Sequence, residues 1–176
     1  MTIALATEAP TFDLPGVDGR QHSLGDYEDT PALAVVWSCN HCPYVQAWEG
    51  RMIELQREFG DRGFGLVAIN SNDADAYPED SFEAMQARAE DQGFNFDYLY
   101  DEDQSALNAY GAERTPEVFL FDGDRRLVYH GAIDDSREED EVSERYLRDA
   151  IEAVLADESP EVDETPAVGC TVKRKP

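Results

Sequence analysis

The chain has 176 residues, 41% of them hydrophobic, enough to fill the core of one domain. Against 14 basic residues stand 39 acidic ones, a net charge of -25. A field of that sign repels nucleic acid and anionic membrane surfaces, so neither is expected as a partner.

Lysine occurs only at Lys173 and Lys175, and every other basic side chain is arginine. Acid excess with lysine avoidance, spread along the whole chain, is what solvation in concentrated salt favours, because salt screens the self-repulsion. A salt-adapted source, a halophilic archaeon, is the expectation. Met1 to Glu8 has no basic region and too short an apolar run for a signal peptide, and nowhere do about 18 apolar residues follow one another. A cytoplasmic location follows. In that compartment three cysteines are not a disulfide scaffold, and a close pair reads as catalytic or metal-binding.

In chain order, Thr11 to Leu14 and Arg20 to Leu24 form a short hairpin across the turn formers Pro15-Gly16-Val17-Asp18-Gly19. Ala32 to Trp37 is a continuous apolar run of strand length, as expected of a strand covered on both faces. After the cysteines the period becomes helical: Cys42, Val45, Trp48 or Glu49, Met52, Leu55 or Gln56 and Phe59 track one broad face, with Glu49, Arg51, Glu54, Arg57 and Glu58 available for the outer one. Phe64 to Ile69 is a second buried strand, joined to the first by a right-handed parallel crossover.

Asp80 or Ser81 caps a helix to about Gln92. Phe96 to Tyr100 is a strand, Gln104 to Tyr110 a short helix, and Glu117 to Phe121 a strand paired through Asp122-Gly123-Asp124 with Arg126 to His130. Val142 to Leu155 is the last helix. The order predicts an α/β domain over 1–156, a central mixed β-sheet flanked by helices with a short N-terminal hairpin. Residues 157–176, with Pro160, Pro166 and several acids, predict a flexible extended tail that carries Cys170.

Chemistry concentrates at Trp37-Ser38-Cys39-Asn40-His41-Cys42-Pro43, a C-x-x-C where a strand gives way to a helix. A thiolate is the attacking species, and a cysteine in the first helical turn meets unpaired N–H groups and the positive end of the macrodipole. Cys39 is expected there with its pKa lowered below about 8.5, Cys42 one turn further in, and a protonated His41 adding to the effect. The roughly 14 residues from Asp157 to Cys170 span about 45 Å at about 3.3 Å each, so the tail is long enough to reach Cys39. Cys170 is therefore either incidental or a resolving or regulatory thiol.

The chain resembles the thioredoxin-like redoxin superfamily over about residues 8–156, nearest its peroxiredoxin-like, AhpC/TSA-type branch. The residues that carry this are Trp37 to Val45, Asn70-Ser71-Asn72-Asp73 through Tyr77-Pro78-Glu79-Asp80-Ser81-Phe82, Arg114-Thr115-Pro116 through Asp122, and Gly169-Cys170-Thr171-Val172-Lys173. The resemblance implies a thioredoxin-like fold, Cys39 as nucleophile, Cys42 as the resolving cysteine, and Thr115-Pro116 as a cis junction lying against the thiols. Trp37, Asn40, His41, Pro43, Thr115 and Pro116 are then site-adjacent. Two departures matter: Asn40-His41 stands where thioredoxins have Gly-Pro, and Val36 stands where peroxiredoxins carry a Thr or Ser hydroxyl.

The leading reading is a thiol-disulfide oxidoreductase that uses Cys39 and Cys42 on a disulfide substrate and is renewed by a thiol reductant. A second is a thiol peroxidase in which Cys39 becomes a sulfenic acid resolved by Cys42 or Cys170. A third is a non-catalytic metal-binding module. No cofactor and no metal are expected in the leading reading, since His41, His22, His130 and Cys170 are the only further His or Cys residues and Asp73, Asp75, Asp101 and Asp103 read as solvated surface.

Overall fold

In the computed structural model, which describes residues 1–176, the chain begins with β1 (Asp13–Pro15) and β2 (Gln21–Ser23), then β3 (Ala32–Trp37), α1 (Pro43–Phe59) and β4 (Phe64–Asn70). There follow α2 (Phe82–Gln92), β5 (Asp97–Tyr100), α3 (Ser105–Tyr110), β6 (Arg114–Thr115), β7 (Glu117–Phe121), β8 (Leu127–Gly131), α4 (Tyr146–Leu155) and β9 (Cys170–Thr171). The central sheet has the order β5-β4-β3-β7-β8, with β3 parallel to β4, β4 parallel to β5, and β7 antiparallel to both β3 and β8. The expected mixed sheet between helices and the N-terminal hairpin, β1 with β2, are both present.

β3 shows why an unbroken apolar run was needed. Successive side chains point to opposite faces of a strand, and both faces of this one are covered. Ala32, Ala34 and Val36 pack with Trp48, Met52 and Phe59 of α1 and with Leu147 and Ile151 of α4. Leu33, Val35 and Trp37 pack on the other side with Leu107 and Tyr110 of α3. No helix is long and apolar enough to cross a membrane.

Three expectations need correction. α4 begins at Tyr146 rather than Val142, because the Asp135 carboxylate accepts from the Ser143 N–H at 2.9 Å and from its hydroxyl, and Asp135 N–H donates to the Glu144 carbonyl, which holds that stretch extended. Arg51, assigned to the outer face of α1, is buried, and so is Glu49, which the helical period left open to either face. Arg51 Nη1 donates to both oxygens of buried Asp134 at 2.9 and 2.8 Å, Trp48 Nε1 donates to the same carboxylate, and Glu49 pairs with Arg88. A buried charge is tolerated where a partner and further hydrogen bonds neutralise it. For the same reason Asp101, read as surface, is fully buried: it accepts from the Ser71 hydroxyl and from the N–H groups of Ala106 and Leu107. Asp73 is buried as well.

Residues 157–176 lie along the domain instead of standing off it. β9 pairs with β6, His130 N–H donates to the Asp163 carbonyl at 3.0 Å, Thr165 N–H donates to the His130 carbonyl at 3.0 Å, and Val172 is buried in the α3-side core. Two glycines make room for this. A Cβ at Gly131 would sit 2.2 Å from Thr165 Oγ1, and one at Gly169 would sit 2.0 Å from the Thr115 carbonyl oxygen. Composition hides such docking, since it depends on backbone meeting backbone rather than on an apolar period.

Candidate active site

The turn between β3 and α1 is held from below. Ser38 N–H continues the β3–β4 ladder by donating to the Ile69 carbonyl at 2.8 Å. Asn40 N–H then donates to Asp80 Oδ1 at 2.7 Å, Asn40 Nδ2 donates to the Glu79 carbonyl at 2.9 Å, and the Tyr98 hydroxyl donates to Asn40 Oδ1 at 2.8 Å. Cys42 is the N-cap of α1 and Pro43 fills the first helical position, where the proline's missing N–H leaves no bond unmade. Asn40 therefore fixes the turn, and Cys39 lies in it ahead of the helix rather than in the first helical turn.

Thr115 joins all three cysteines. Its peptide bond to Pro116 is cis. Its hydroxyl lies 3.6 Å from Cys39 Sγ, its carbonyl oxygen lies 3.5 Å from Cys42 Sγ, and in the β6–β9 pairing it stands opposite Cys170. Cys39, Cys42 and Val45 form one buried cluster with Tyr44 and Cys170 packed against it. The disulfide in the structure joins Cys42 to Cys170, with their Cα atoms 6.3 Å apart, and Cys39 is a free thiol. The pair adjacent in sequence is thus not the pair bonded here, because the β6–β9 register delivers Cys170 to the carbonyl against which Cys42 already packs.

The electrostatics differ from the sequence expectation. Burial, with the Asp80 charge beside it, pushes the Cys39 thiol up to about 11. The Thr115 hydroxyl and the backbone N–H groups of His41 and Cys42 pull the other way and do not prevail. The expected lowering assumed Cys39 on the helix, where the macrodipole acts; the structure gives that end of α1 to Cys42. His41 stacks on Tyr77, with centroids 5.8 Å apart, and its Nδ1 is 2.5 Å from Asp80 Oδ2 but outside hydrogen-bond alignment. His41 thus faces Asp80.

Asp80 is the site residue to which sequence reasoning gave no part in the chemistry, having been read as a possible helix cap and as one residue of the segment that carries the family resemblance. Ser81 caps α2 instead, its hydroxyl accepting from Ala84 N–H at 3.1 Å, and Asp80 turns inward, fully buried. It also accepts from Asn72 Nδ2 at 2.9 Å and from Asn70 Nδ2 at 3.4 Å. The available signal was the polar cluster Asn70-Ser71-Asn72-Asp73 directly after a buried strand. Donor atoms of Cys39, His41 and Asp80 lie within 4.8 Å of one another. These three residues are the ones near the cysteines that could hold a metal ion, although two amides and a backbone N–H already engage the Asp80 carboxylate.

Trp37 belongs to the core beneath the site: its indole donates to the Ser71 hydroxyl at 3.0 Å and its ring packs on Tyr110 and Phe119. His22 and His130 lie apart from the cysteines, beside Asp18 and Asp97 and beside Glu117 and Glu164 respectively. An open cleft of about 540 Å³ next to His130 and Glu164 has no cysteine in its lining.

The model of the AhpC/TSA family matches residues 5–130, which include Cys39, Cys42 and Thr115 but stop short of Cys170. The chain is 30% identical over 122 residues to the thiol-disulfide oxidoreductase ResA of Geobacillus thermodenitrificans, a match covering 68% of this chain and 64% of that one, so it spans just under two thirds of that relative's length. The crystal structure of a hypothetical protein from Sinorhizobium meliloti 1021 is similar at 39% identity and a TM-score of 0.94, covering 99% of this chain and 97% of that one, C-terminal segment included. The thioredoxin domain of a thiol-disulfide oxidoreductase from Bacteroides vulgatus shares the fold at a TM-score of 0.62 and 17% identity, over 73% of this chain and 89% of that one. With a thioredoxin-like sheet, a strand-to-helix cysteine pair facing a cis-proline junction, and a family match over residues 5–130, the chain belongs to the AhpC/TSA family.

Proposed function

We propose that the protein is a thiol-disulfide oxidoreductase in which Cys39 attacks a substrate disulfide and Cys42 resolves the mixed disulfide. The observation that carries this reading is Thr115, which presents its hydroxyl to Cys39 and its carbonyl to Cys42 from the loop of the cis Thr115–Pro116 bond. In the first step the Cys39 thiolate bonds to one substrate sulfur and the other leaves as a thiolate. Cys42 then attacks Cys39 Sγ and releases the first substrate sulfur. The Asp80 carboxylate, whose charge opposes formation of the Cys39 thiolate, lies beside His41 and within 4.8 Å of the thiol. The family and the name of the ResA relative support the same reaction class. A thiol reductant would renew the enzyme.

The test is turnover of hydroxyethyl disulfide with glutathione as reductant. Cys39→Ser abolishes turnover, and Cys42→Ser accumulates a mixed disulfide on Cys39 that peptide mass spectrometry identifies. Wild-type turnover in Cys39→Ser overturns the proposal.

Peroxide reduction is the second reading, and one contact favours it: the Thr115 hydroxyl reaches Cys39 where buried Val36 offers none. Hydrogen peroxide consumed faster than the disulfide, with a sulfenic acid on Cys39, would select it.

A further inference from the structure

The three cysteine residues are graded in burial. Cys39 and Cys42 are each 1% exposed, while Cys170 is only half-buried on its two-residue strand. Cys170 is also held where it is by contacts other than its disulfide. Val172 N–H donates to the Glu113 carbonyl at 3.0 Å, Lys173 N–H to Asn72 Oδ1 at 2.8 Å, Asp73 N–H to the Lys173 carbonyl at 2.8 Å, and Lys175 N–H to Gln104 Oε1 at 3.0 Å. Asn72 is at the same time a donor to Asp80, so one residue ties the tail to the carboxylate beneath the Cys39 turn. These contacts seat the tail at the site without drawing on the disulfide.

Resting on the oxidoreductase reading above, we infer that Cys170 is the outer thiol of a three-cysteine relay, carrying oxidation out from the buried pair and receiving electrons from the reductant. After a substrate disulfide has been reduced, the protein holds Cys39–Cys42. The Cys170 thiolate attacks Cys42 Sγ, the Cys39–Cys42 bond breaks as Cys42–Cys170 forms, and Cys39 departs as a thiolate that takes a proton. No electrons are gained or lost in this exchange. The net change of the forward half-reaction is one substrate disulfide reduced to two thiols and the thiols of Cys42 and Cys170 oxidised to one disulfide. An external thiol then attacks Cys170 Sγ, on the least buried of the three cysteines, and Cys42 leaves as a thiol; a second external thiol attacks the first external sulfur, so that Cys170 leaves as a thiol and the two external sulfurs form one disulfide. The structure shows the state between these halves, with Cys39 already free and Cys42–Cys170 formed.

The relay is tested with the full-length protein. Reduced wild type and C170S are each given one equivalent of hydroxyethyl disulfide, quenched in acid over a time course, alkylated and mapped by peptide mass spectrometry. In wild type, Cys39–Cys42 is expected early and Cys42–Cys170 at the end, with Cys39 carrying the alkyl group. C170S is expected to stop at Cys39–Cys42 and to be re-reduced by glutathione about tenfold more slowly, because its disulfide is buried. A wild-type end state of Cys39–Cys42 with Cys170 alkylated overturns the relay and leaves the oxidoreductase reading standing, as does C170S re-reduced at the wild-type rate. Disulfide consumption at the wild-type rate by C39S overturns the reading beneath it. Should C170S fail to fold by circular dichroism, the wild-type time course alone decides.

Discussion

Cys39 and Cys170 reach the same threonine from opposite kinds of structure. Cys39 follows a strand buried along its whole length, in a turn pinned by a fully buried carboxylate that several amides engage. Cys170 arrives on a twenty-residue segment with one two-residue strand, seated by glycine-permitted backbone contact and by hydrogen bonds to loop residues. The family match covers the first region and ends before the second. The difference teaches that a rigid frame sets a thiol's proton affinity through burial and neighbouring charge, whereas a strap can set which sulfur meets solvent. Both are needed where chemistry is to be shielded from water and still exchange electrons with a partner.

The comparison can be broken at either end. The largest effect is expected from Asp134→Ala, which leaves the buried Arg51 guanidinium without its carboxylate and Trp48 Nε1 without its acceptor. Removing one partner of a buried ion pair costs about 3–5 kcal/mol, and both cysteine regions should lose order together in a single denaturant transition at lower midpoint. A change within about 0.5 kcal/mol would show that the pair on α1 does not support the frame.

A smaller effect belongs to the strap. Gly169→Val drives a side chain into the Thr115 carbonyl, and such overpacking costs about 1–3 kcal/mol unless the tail lifts away. The far-UV spectrum should remain that of wild type, while oxidation now ends at Cys39–Cys42. Wild-type yields of Cys42–Cys170 in this variant would show that the tail's backbone contact does not place Cys170.

The smallest is electrostatic. Burial is the main reason that the Cys39 thiol stands near 11, and the Asp80 charge adds to it. A raised thiol pKa keeps the proton on as pH climbs, so alkylation of Cys39 in the oxidised protein should grow about tenfold per pH unit from neutrality until it levels near that value. Asp80→Asn removes an anion, favours the thiolate, and should move the curve toward lower pH. An unmoved curve would remove Asp80 from the electrostatics of Cys39.

Much of the frame was legible because it is written in neighbouring residues. The run Ala32 to Trp37, the Ser81 cap and the tight turn at Asp122-Gly123-Asp124 each specify local structure without help from distant parts of the chain. The site was legible as a location, since Cys39 and Cys42 stand where a strand period changes to a helical one. Its chemistry was less so. Asp80 resembles any capping aspartate until the Asn40 turn is folded over it, and Glu49 and Arg51 resemble surface charges until Arg88 and Asp134 come to meet them.

The sequence by itself determined the order of the main strands and helices and the presence of a cysteine pair at the first crossover, because periodicity and spacing are local properties. Only the tertiary structure decided that Cys42 is bonded to a cysteine 128 residues away, that Cys39 is free, buried and raised in pKa, and that the tail is seated on Thr115. Those outcomes depend on which surfaces exclude water together and which backbones approach closely, and neither is a property of any one stretch of chain.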